Sequence, residues 1–365
     1  MKILAFETSC DDTGVAIVEN GTRVLANVKH SQVEHSVWGG VVPEIAARLH
    51  AERWRTVLKE CLAQLSCTID DVDALAVTAG PGLQTSLLVG TTAASFLSLL
   101  TPKKLIPVQH IAGHIASVAL ERPEFQNPSV RHGGHLPLQR GAFPALTLVA
   151  SGGHTEFYRI EDFAHVQKVG QTIDDASGEA FDKVAKMLKL GYPGGPLVSA
   201  QAEKGDGTAF DLPRPLLAKD SLDFSFSGVK AAIYRIVAET APSQRQSEKF
   251  IADVCASFEQ CVVDIFLKKL DRALDRFPEC RAVHFVGGVS ANKRLRAEIE
   301  KFCEKNNVQF YTTKKFEYST DNAAMIGAAA YFAYQKHPDI AQVQFVDANP
   351  GLGIVREGER WRDRE

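Results

Sequence analysis

Two short apolar runs near the start of the chain, Lys2 to Phe6 and Val15 to Val18, flank the polar stretch Glu7-Thr8-Ser9-Cys10-Asp11-Asp12-Thr13-Gly14. Runs of this length bounded by turn residues read as strands, and Asn20-Gly21 predicts a tight hairpin into a third strand, Val24 to Val28. A related order recurs further along. Leu146 to Ala150 predicts a buried strand, Ser151-Gly152-Gly153-His154-Thr155 a turn, and the chain returns antiparallel through Tyr158. The two copies are much too far apart for a solenoid repeat. They fit two related lobes facing each other across a cleft, or two hairpins alike by chance.

Between and after these copies the apolar spacing changes to that of helices. Trp54, Val57, Leu58 and Leu62 predict a helix from Ile45 to about Leu65. A strand over Ala74 to Thr78 leads through Ala79-Gly80-Pro81-Gly82 into an apolar run, Ser86 to Leu100. That run reads as a buried helix; Gly90, Thr91, Thr92, Ser95 and Ser98 interrupt it, and it is too short to span a bilayer. Gln246 to Phe277 predicts a long core helix. Ala282 to Val286 predicts a strand, followed by Gly287-Gly288-Val289-Ser290-Ala291-Asn292 and a helix from Lys293. Tyr318-Ser319-Thr320-Asp321-Asn322 precedes an Ala- and Gly-rich helix over Ala323 to Tyr334, with Asp321 able to serve as its N-cap. Glu121 to Gly141 shows no periodicity and reads as a surface loop, with His132 and His135 as solvated side chains.

Composition narrows the class. A 365-residue chain with 45% hydrophobic and 23% charged residues is long enough for two substantial cores and has the balance of a globular enzyme. A net charge of −3 gives no global attraction to nucleic acid, so RNA binding would need a local patch such as Lys103/Lys104 or Lys293/Arg294/Arg296, the tail residues Arg360, Trp361 and Arg362, or a partner. Seven cysteines without a Cys-x-x-Cys pair, and an N-terminus that leads straight into a strand, point to reduced thiols in the cytoplasm and no membrane attachment.

Several segments carry chemistry. Adjacent glycines at Gly152-Gly153 let backbone N–H groups converge on an anionic oxygen, or simply satisfy the dihedrals of a turn. In His110-Ile111-Ala112-Gly113-His114 the imidazoles stand at i and i+4, on one helix face. They can share a metal ion or sit satisfied on a surface. Ile111 occupies the place where a zinc protease carries its catalytic Glu, so the protease template fails. Asp174-Asp175 and Glu179-Ala180-Phe181-Asp182-Lys183 put more carboxylates near one helix start than dipole complementation requires. Ser227 is a plausible cap for the helix that follows Asp223-Phe224-Ser225-Phe226.

Taken together, these motifs resemble the TsaD family, the catalytic subunit of the tRNA threonylcarbamoyladenosine synthase system. The resemblance runs from Glu7-Thr8-Ser9-Cys10-Asp11 through His110-x-x-x-His114, Ser151-Gly152-Gly153-His154-Thr155, Asp174-Asp175-x-x-Gly178-Glu179-Ala180-Phe181-Asp182-Lys183 and Gly287-Gly288-Val289-Ser290-Ala291-Asn292 to Ser319-Thr320-Asp321-Asn322, in family order. It implies an α/β, two-lobed actin/Hsp70/sugar-kinase fold with duplicated ribonuclease-H-like domains. The expected division is an N-terminal lobe over 1–120, a loop or insertion over 121–142, a C-terminal lobe over 143–340 with a helical insertion at about 183–280, and a tail over 341–365.

The same resemblance implies site residues. His110, His114 and Asp321 would hold one metal ion per subunit, iron (Fe2+) with zinc as the alternative. Val149, Ala150, Ser151, Gly152 and Gly153 would cradle the phosphate and acyl part of the intermediate, while Asp182, Gly195 and Asn292 would contact the adenylate. Asp11 would orient the acyl group or help a proton leave. The implied reaction passes a threonylcarbamoyl group from threonylcarbamoyl-AMP to N6 of adenosine 37 in tRNAs reading A-starting codons. The implied partners are tRNA, a TsaB-like paralogue and a TsaE-like ATPase. The competing expectation is an ATPase or phosphotransferase of the same fold.

Overall fold

The computed structural model describes residues 1–126, 142–217, 219–342 and 345–354. Its described residues cluster into two compact units, one from Met1–Phe143, Ile160–Gln167 and Thr312–Glu365, the other from Pro144–Arg159 and Lys168–Tyr311.

The first unit is built on β1 (Lys2–Glu7), β2 (Asp12–Glu19), β3 (Arg23–Ser31), β4 (Ala74–Gly80) and β5 (Lys104–Gln109). Their order is β3-β2-β1-β4-β5, antiparallel across β1, β2 and β3 and parallel from β1 to β4 to β5. The Asn20-Gly21 hairpin forms with both residues at positive φ, 52° and 71°, the conformation a two-residue primed turn requires. α1 (Pro43–Ala63) and α2 (Gln84–Leu100) bury Val57, Leu58, Cys61, Ala94 and Leu97 against Leu4, Phe6, Val15, Leu75 and Val77. α2, expected as a buried helix, is buried along part of its surface, through Leu87, Ala94 and Leu97 among others. Leu88, Phe96 and Leu99 are 55%, 53% and 59% exposed, because the helix packs by one face only.

The second sheet contains β6 (Ala145–Ala150), β7 (Thr155–Asp162), β8 (His165–Gln171), β9 (Ala282–Val286) and β10 (Gln309–Thr312), in the order β10-β9-β6-β7-β8. Numbered from its own first strand, this is the arrangement of the first sheet: third, second, first, fourth, fifth. The duplication suggested by the two hairpins is therefore real, and the chain has the two-lobed actin/Hsp70/sugar-kinase architecture. Strands β1 and β6 open the two copies.

α3 (His110–Ala116) follows β5, and between β8 and β9 come α4 (Ser177–Met187), α5 (Gly194–Ala202), α6 (Ser227–Glu239), the single turn α7 (Pro242–Arg245) and α8 (Glu248–Arg276). Phe258, Val262 and Phe266 of α8 enter the second core beside Leu146, Phe157, Phe224 and Phe285. α9 (Lys293–Lys305) and α10 (Ala323–Lys336) complete the helices.

α10 corrects the expected boundary. A Cβ on its Gly327 would lie 2.9 Å from Val18 Cγ2, so the small-residue helix lies close on the first sheet, and residues from 312 onward belong to the first unit rather than to a lobe ending at 340. The expected tail is also partly folded, with Val346 and Leu352 buried in the first core. Of the expected loop, Glu121 to Gln126 is packed: Phe125 is buried against Phe143 and Phe163. His132, His135, Arg360, Trp361 and Arg362 lie outside the described residues. Among the described residues no helix is long and apolar enough to cross a membrane, and all seven cysteines are free.

Candidate metal centre

β5 ends at Gln109, whose side-chain Oε1 accepts from Ala112 N at 2.7 Å and starts α3. One turn separates His110 from His114, which places both rings on the same face. That face meets α10 closely, since a Cβ on Gly113 would come within 2.8 Å of Ile326 Cδ1. The approach brings in Asp321, the residue two before α10. Asn322, not Asp321, caps α10, accepting from Met325 N at 3.1 Å. Asp321 is thereby left free to face the imidazoles.

Asp321 Oδ1 lies 3.2 Å from His114 Nε2 and 3.5 Å from His110 Nε2. One ligand atom from each residue falls within 4.8 Å of the others. His114 is wholly buried, yet neither of its ring nitrogens has a hydrogen-bond partner; at 3.2 Å it meets Asp321 without hydrogen-bond alignment. An imidazole buried in this way is costly unless something else uses its lone pair.

His110 is anchored from behind. Its Nδ1 is 3.1 Å from Glu7 Oε2 and 3.2 Å from Ser9 Oγ. Glu7, fully buried at the end of β1, also accepts from Ser9 N and from Thr78 Oγ1 at 2.7 Å. With Nδ1 facing Glu7, Nε2 is the ring nitrogen turned toward Asp321, the one a metal ion would take in place of a proton. Burial opposes a charged His110, but the carboxylates of Asp321 and Glu7 outweigh it and hold the pKa up at about 9. Burial likewise pushes Glu7 and Asp321 upward, but His110 holds Glu7, and His110 with His114 holds Asp321, below the usual carboxylate range. Two imidazoles and one carboxylate converging in a buried place fit iron or zinc. Sequence reasoning named all three residues that the structure brings together here and missed Glu7 and Thr78 behind them; the signal for Glu7 was an acidic residue closing a largely apolar strand.

Asp11 occupies the turn between β1 and β2, where its backbone carbonyl accepts from Gln32 N at 3.2 Å. His50 fastens the same turn, with Nδ1 2.7 Å from Thr13 Oγ1 and Nε2 2.9 Å from the Cys10 carbonyl. Burial and the nearby Asp11 and Asp321 carboxylates push the Cys10 thiol far up, so it is no thiolate nucleophile.

The second unit carries the remaining candidates. Val149 and Ala150 end β6, and Ser151 closes the turn by accepting through its carbonyl from Gly178 N at 3.2 Å and donating its N–H to the His154 carbonyl at 2.8 Å. Gly152 and Gly153 are exposed, neither needs positive φ, and a Cβ on either would meet nothing within 4 Å. The same openness holds at Gly195 and Gly288. In contrast, Gly287 has φ +89° and a Cβ there would sit 2.4 Å from the Ala150 carbonyl oxygen, so that glycine serves the fold. Asp182 accepts from Gly194 N at 2.7 Å and shapes the turn that presents Gly195. Asn292 caps α9 through Leu295 N at 2.9 Å and donates to Ser199 Oγ and Glu259 Oε1 at 2.8 and 2.6 Å.

The acidic excess resolves into structure. Asp174 caps α6 from a distance, accepting from Phe226 N, Ser227 N and the hydroxyls of Ser225 and Ser227, so the expected Ser227 cap is replaced. Asp175 pairs with Lys183 at 2.8 Å and Lys230 at 2.6 Å. The basic patches are partly engaged too: Lys103 donates to the Asp70 carbonyl, Lys104 to Tyr334 Oη, and Arg294 pairs with Glu259.

Comparison with known proteins extends the geometry. The chain is 45% identical over 356 residues to a tRNA N6-adenosine threonylcarbamoyltransferase of Bacillus cereus, covering 96% of each. It is 43% identical over 334 residues to the enzyme of that name from Staphylococcus haemolyticus, covering 91% of each. Among solved structures, full-length HypF in a phosphate- and nucleotide-bound form shares the fold at TM-score 0.57 and 13% identity, over 92% of this chain and 46% of that one. HypF of T. kodakarensis does so at TM-score 0.56 and 14% identity, over 94% and 49%. A family model described as TsaD, tRNA N6-adenosine threonylcarbamoyltransferase, matches residues 23–328. The chain belongs to the TsaD family of tRNA N6-adenosine threonylcarbamoyltransferases.

Proposed function

We propose that this acyltransferase moves a threonylcarbamoyl group from threonylcarbamoyl-AMP to N6 of adenosine 37 in tRNAs reading A-starting codons, and that His110, His114 and Asp321 hold one metal ion, Fe2+ or Zn2+, for that step. The observation that carries the metal reading is the buried His114 ring without a hydrogen bond, facing the same point as His110 and Asp321. When bound, an ion held by two imidazoles and a carboxylate supplies a Lewis acid with positions left open to substrate oxygens.

The chain's own groups account for the rest. The N6 amine attacks the carbamoyl carbon and AMP departs. Because its lone pair is delocalised into the ring, orientation and charge stabilisation carry most of the acceleration. Val149 to Gly153 cradle the phosphate and acyl oxygens, with the exposed backbone of Gly152 and Gly153 open to them. Asp182, Gly195 and Asn292 hold the ribose and base of the adenylate: Asp182 in α4 fixes the start of α5, where Gly195 sits, and Asn292 caps α9. Asp11 orients the acyl group or receives the proton. tRNA reaches the site with help from a TsaB-like paralogue and a TsaE-like ATPase, in the cytoplasm.

An ATPase or phosphotransferase reading draws on the likeness to nucleotide-bound HypF, but gives His110 and His114 no task. Mass analysis of tRNA nucleosides after incubation with the protein, synthetic threonylcarbamoyl-AMP and the candidate partners decides between them. Formation of threonylcarbamoyladenosine supports the transferase reading. Its absence with every partner present, alongside turnover of ATP or transfer of phosphate, supports the other.

A further inference from the structure

Residues 345–354 form a strap over the first unit, held to β4 and the loop after it, to α2 and to the end of β5. Asn349 N donates to the Ala79 carbonyl at 2.8 Å, Gly82 N to the Pro350 carbonyl at 3.4 Å, and Val346 N to Ser95 Oγ at 3.2 Å. The fit is close enough that a Cβ on Gly80 would lie 1.8 Å from the Asn349 carbonyl oxygen. Burial of Val346 and Leu352 anchors both ends.

Two routes lead from this strap to His110. In the first, Gln109 Nε2 donates to the Leu352 carbonyl at 3.1 Å while its Oε1 caps α3 through Ala112 N at 2.7 Å. One amide thus joins the strap to the helix turn that begins with His110. In the second, the loop held by Asn349 and Pro350 continues to Leu83, whose N–H donates to the Ser9 carbonyl at 2.8 Å. A Cβ on Gly82 would approach that same oxygen within 2.5 Å, and Ser9 Oγ lies 3.2 Å from His110 Nδ1.

We propose that the strap over 345–354 is a positioning element for the metal centre and that Gln109 is the positioning residue that links them. Side chains that orient a ligand's neighbours act on the ion through geometry, and their loss weakens metal binding while the ligands remain. The inference rests on the His110–His114–Asp321 reading.

The test uses Co2+ alone, added stepwise to the metal-stripped full chain, with its visible absorption reporting both affinity and ligand geometry. His114→Ala defines which absorption belongs to this site. Gln109→Glu keeps the acceptor for Ala112 N and removes the donor to Leu352. Its added negative charge favours a cation, so a loss of affinity reports the broken link. Gln109→Ala removes both contacts, and a chain lacking residues 345–365 removes the strap; if that chain does not fold, the two Gln109 variants decide. We expect Co2+ affinity to fall about tenfold in Gln109→Glu, with an altered absorption band and an unchanged thermal midpoint. Wild-type affinity and an unaltered band in both Gln109 variants would overturn the proposal and leave the metal reading standing. Absence of His114-dependent Co2+ binding in the wild-type chain would overturn both.

Discussion

Glu7 Oε2 and His110 Nδ1 meet at 3.1 Å, the end of the first strand touching the start of the helix that follows β5. The carboxylate is fully buried and has no solvent to share its charge with. Its work is to fix which imidazole nitrogen carries the proton. Glu7→Gln keeps the shape and removes the charge. Competition with a chromogenic chelator should show Zn2+ binding weakened by about 10- to 100-fold, the range seen for outer partners of metal-bound histidines. An unchanged affinity would mean that the contact is structural only.

The open glycines give a prediction with opposite signs at neighbouring positions. Gly152→Ala and Gly195→Ala introduce a methyl group that meets no protein atom. Stability should stay within about 0.5 kcal/mol of wild type, while the proposed substrate contacts at these glycines predict that threonylcarbamoyl transfer falls. Gly287→Ala should do the reverse first, losing about 1–2 kcal/mol or more through its positive φ and the contact with Ala150. Calorimetry and nucleoside analysis on the three variants check this.

Asp12 offers a pH test. Burial raises its carboxyl to about 6, although Lys29 at 2.9 Å and Ser31 pull the other way. A carboxyl with a raised folded-state pKa binds its proton more tightly when folded, so its contribution to stability is fully present below about pH 4 and is lost as pH rises through about 6. The difference in urea stability between wild type and Asp12→Asn, measured from pH 4 to 7, isolates that contribution from other carboxylates. We expect wild type to lose on the order of 1–2 kcal/mol relative to the variant across this window.

Local signals were the legible ones. Asn20-Gly21 announced its turn because two residues determine it, and His110-x-x-x-His114 announced a shared face because helix periodicity does. The order of motifs carried Asp321, whose local setting reads as a helix cap; only the structure shows Asn322 taking that task. What escaped depends on segments meeting from afar. Asp174 caps a helix more than fifty residues later, with |i−j| of 52 to Phe226 N, which no local pattern reports. The exposed side of α2 escaped because an apolar run does not say how many neighbours will cover it. The strap at 345–354 has no periodicity at all, and its fit is written in Gly80, not in itself.

The central claim is that one ion at His110, His114 and Asp321 is required for transfer, and it is tested most directly by measuring metal content and threonylcarbamoyladenosine yield on the same protein samples. Wild type should carry about one equivalent of metal per chain, and His110→Ala, His114→Ala and Asp321→Ala should lose metal and yield together, with yield down by at least about 10²-fold. Full yield from a variant shown to be free of metal, or one equivalent retained when both histidines are replaced, would contradict the account.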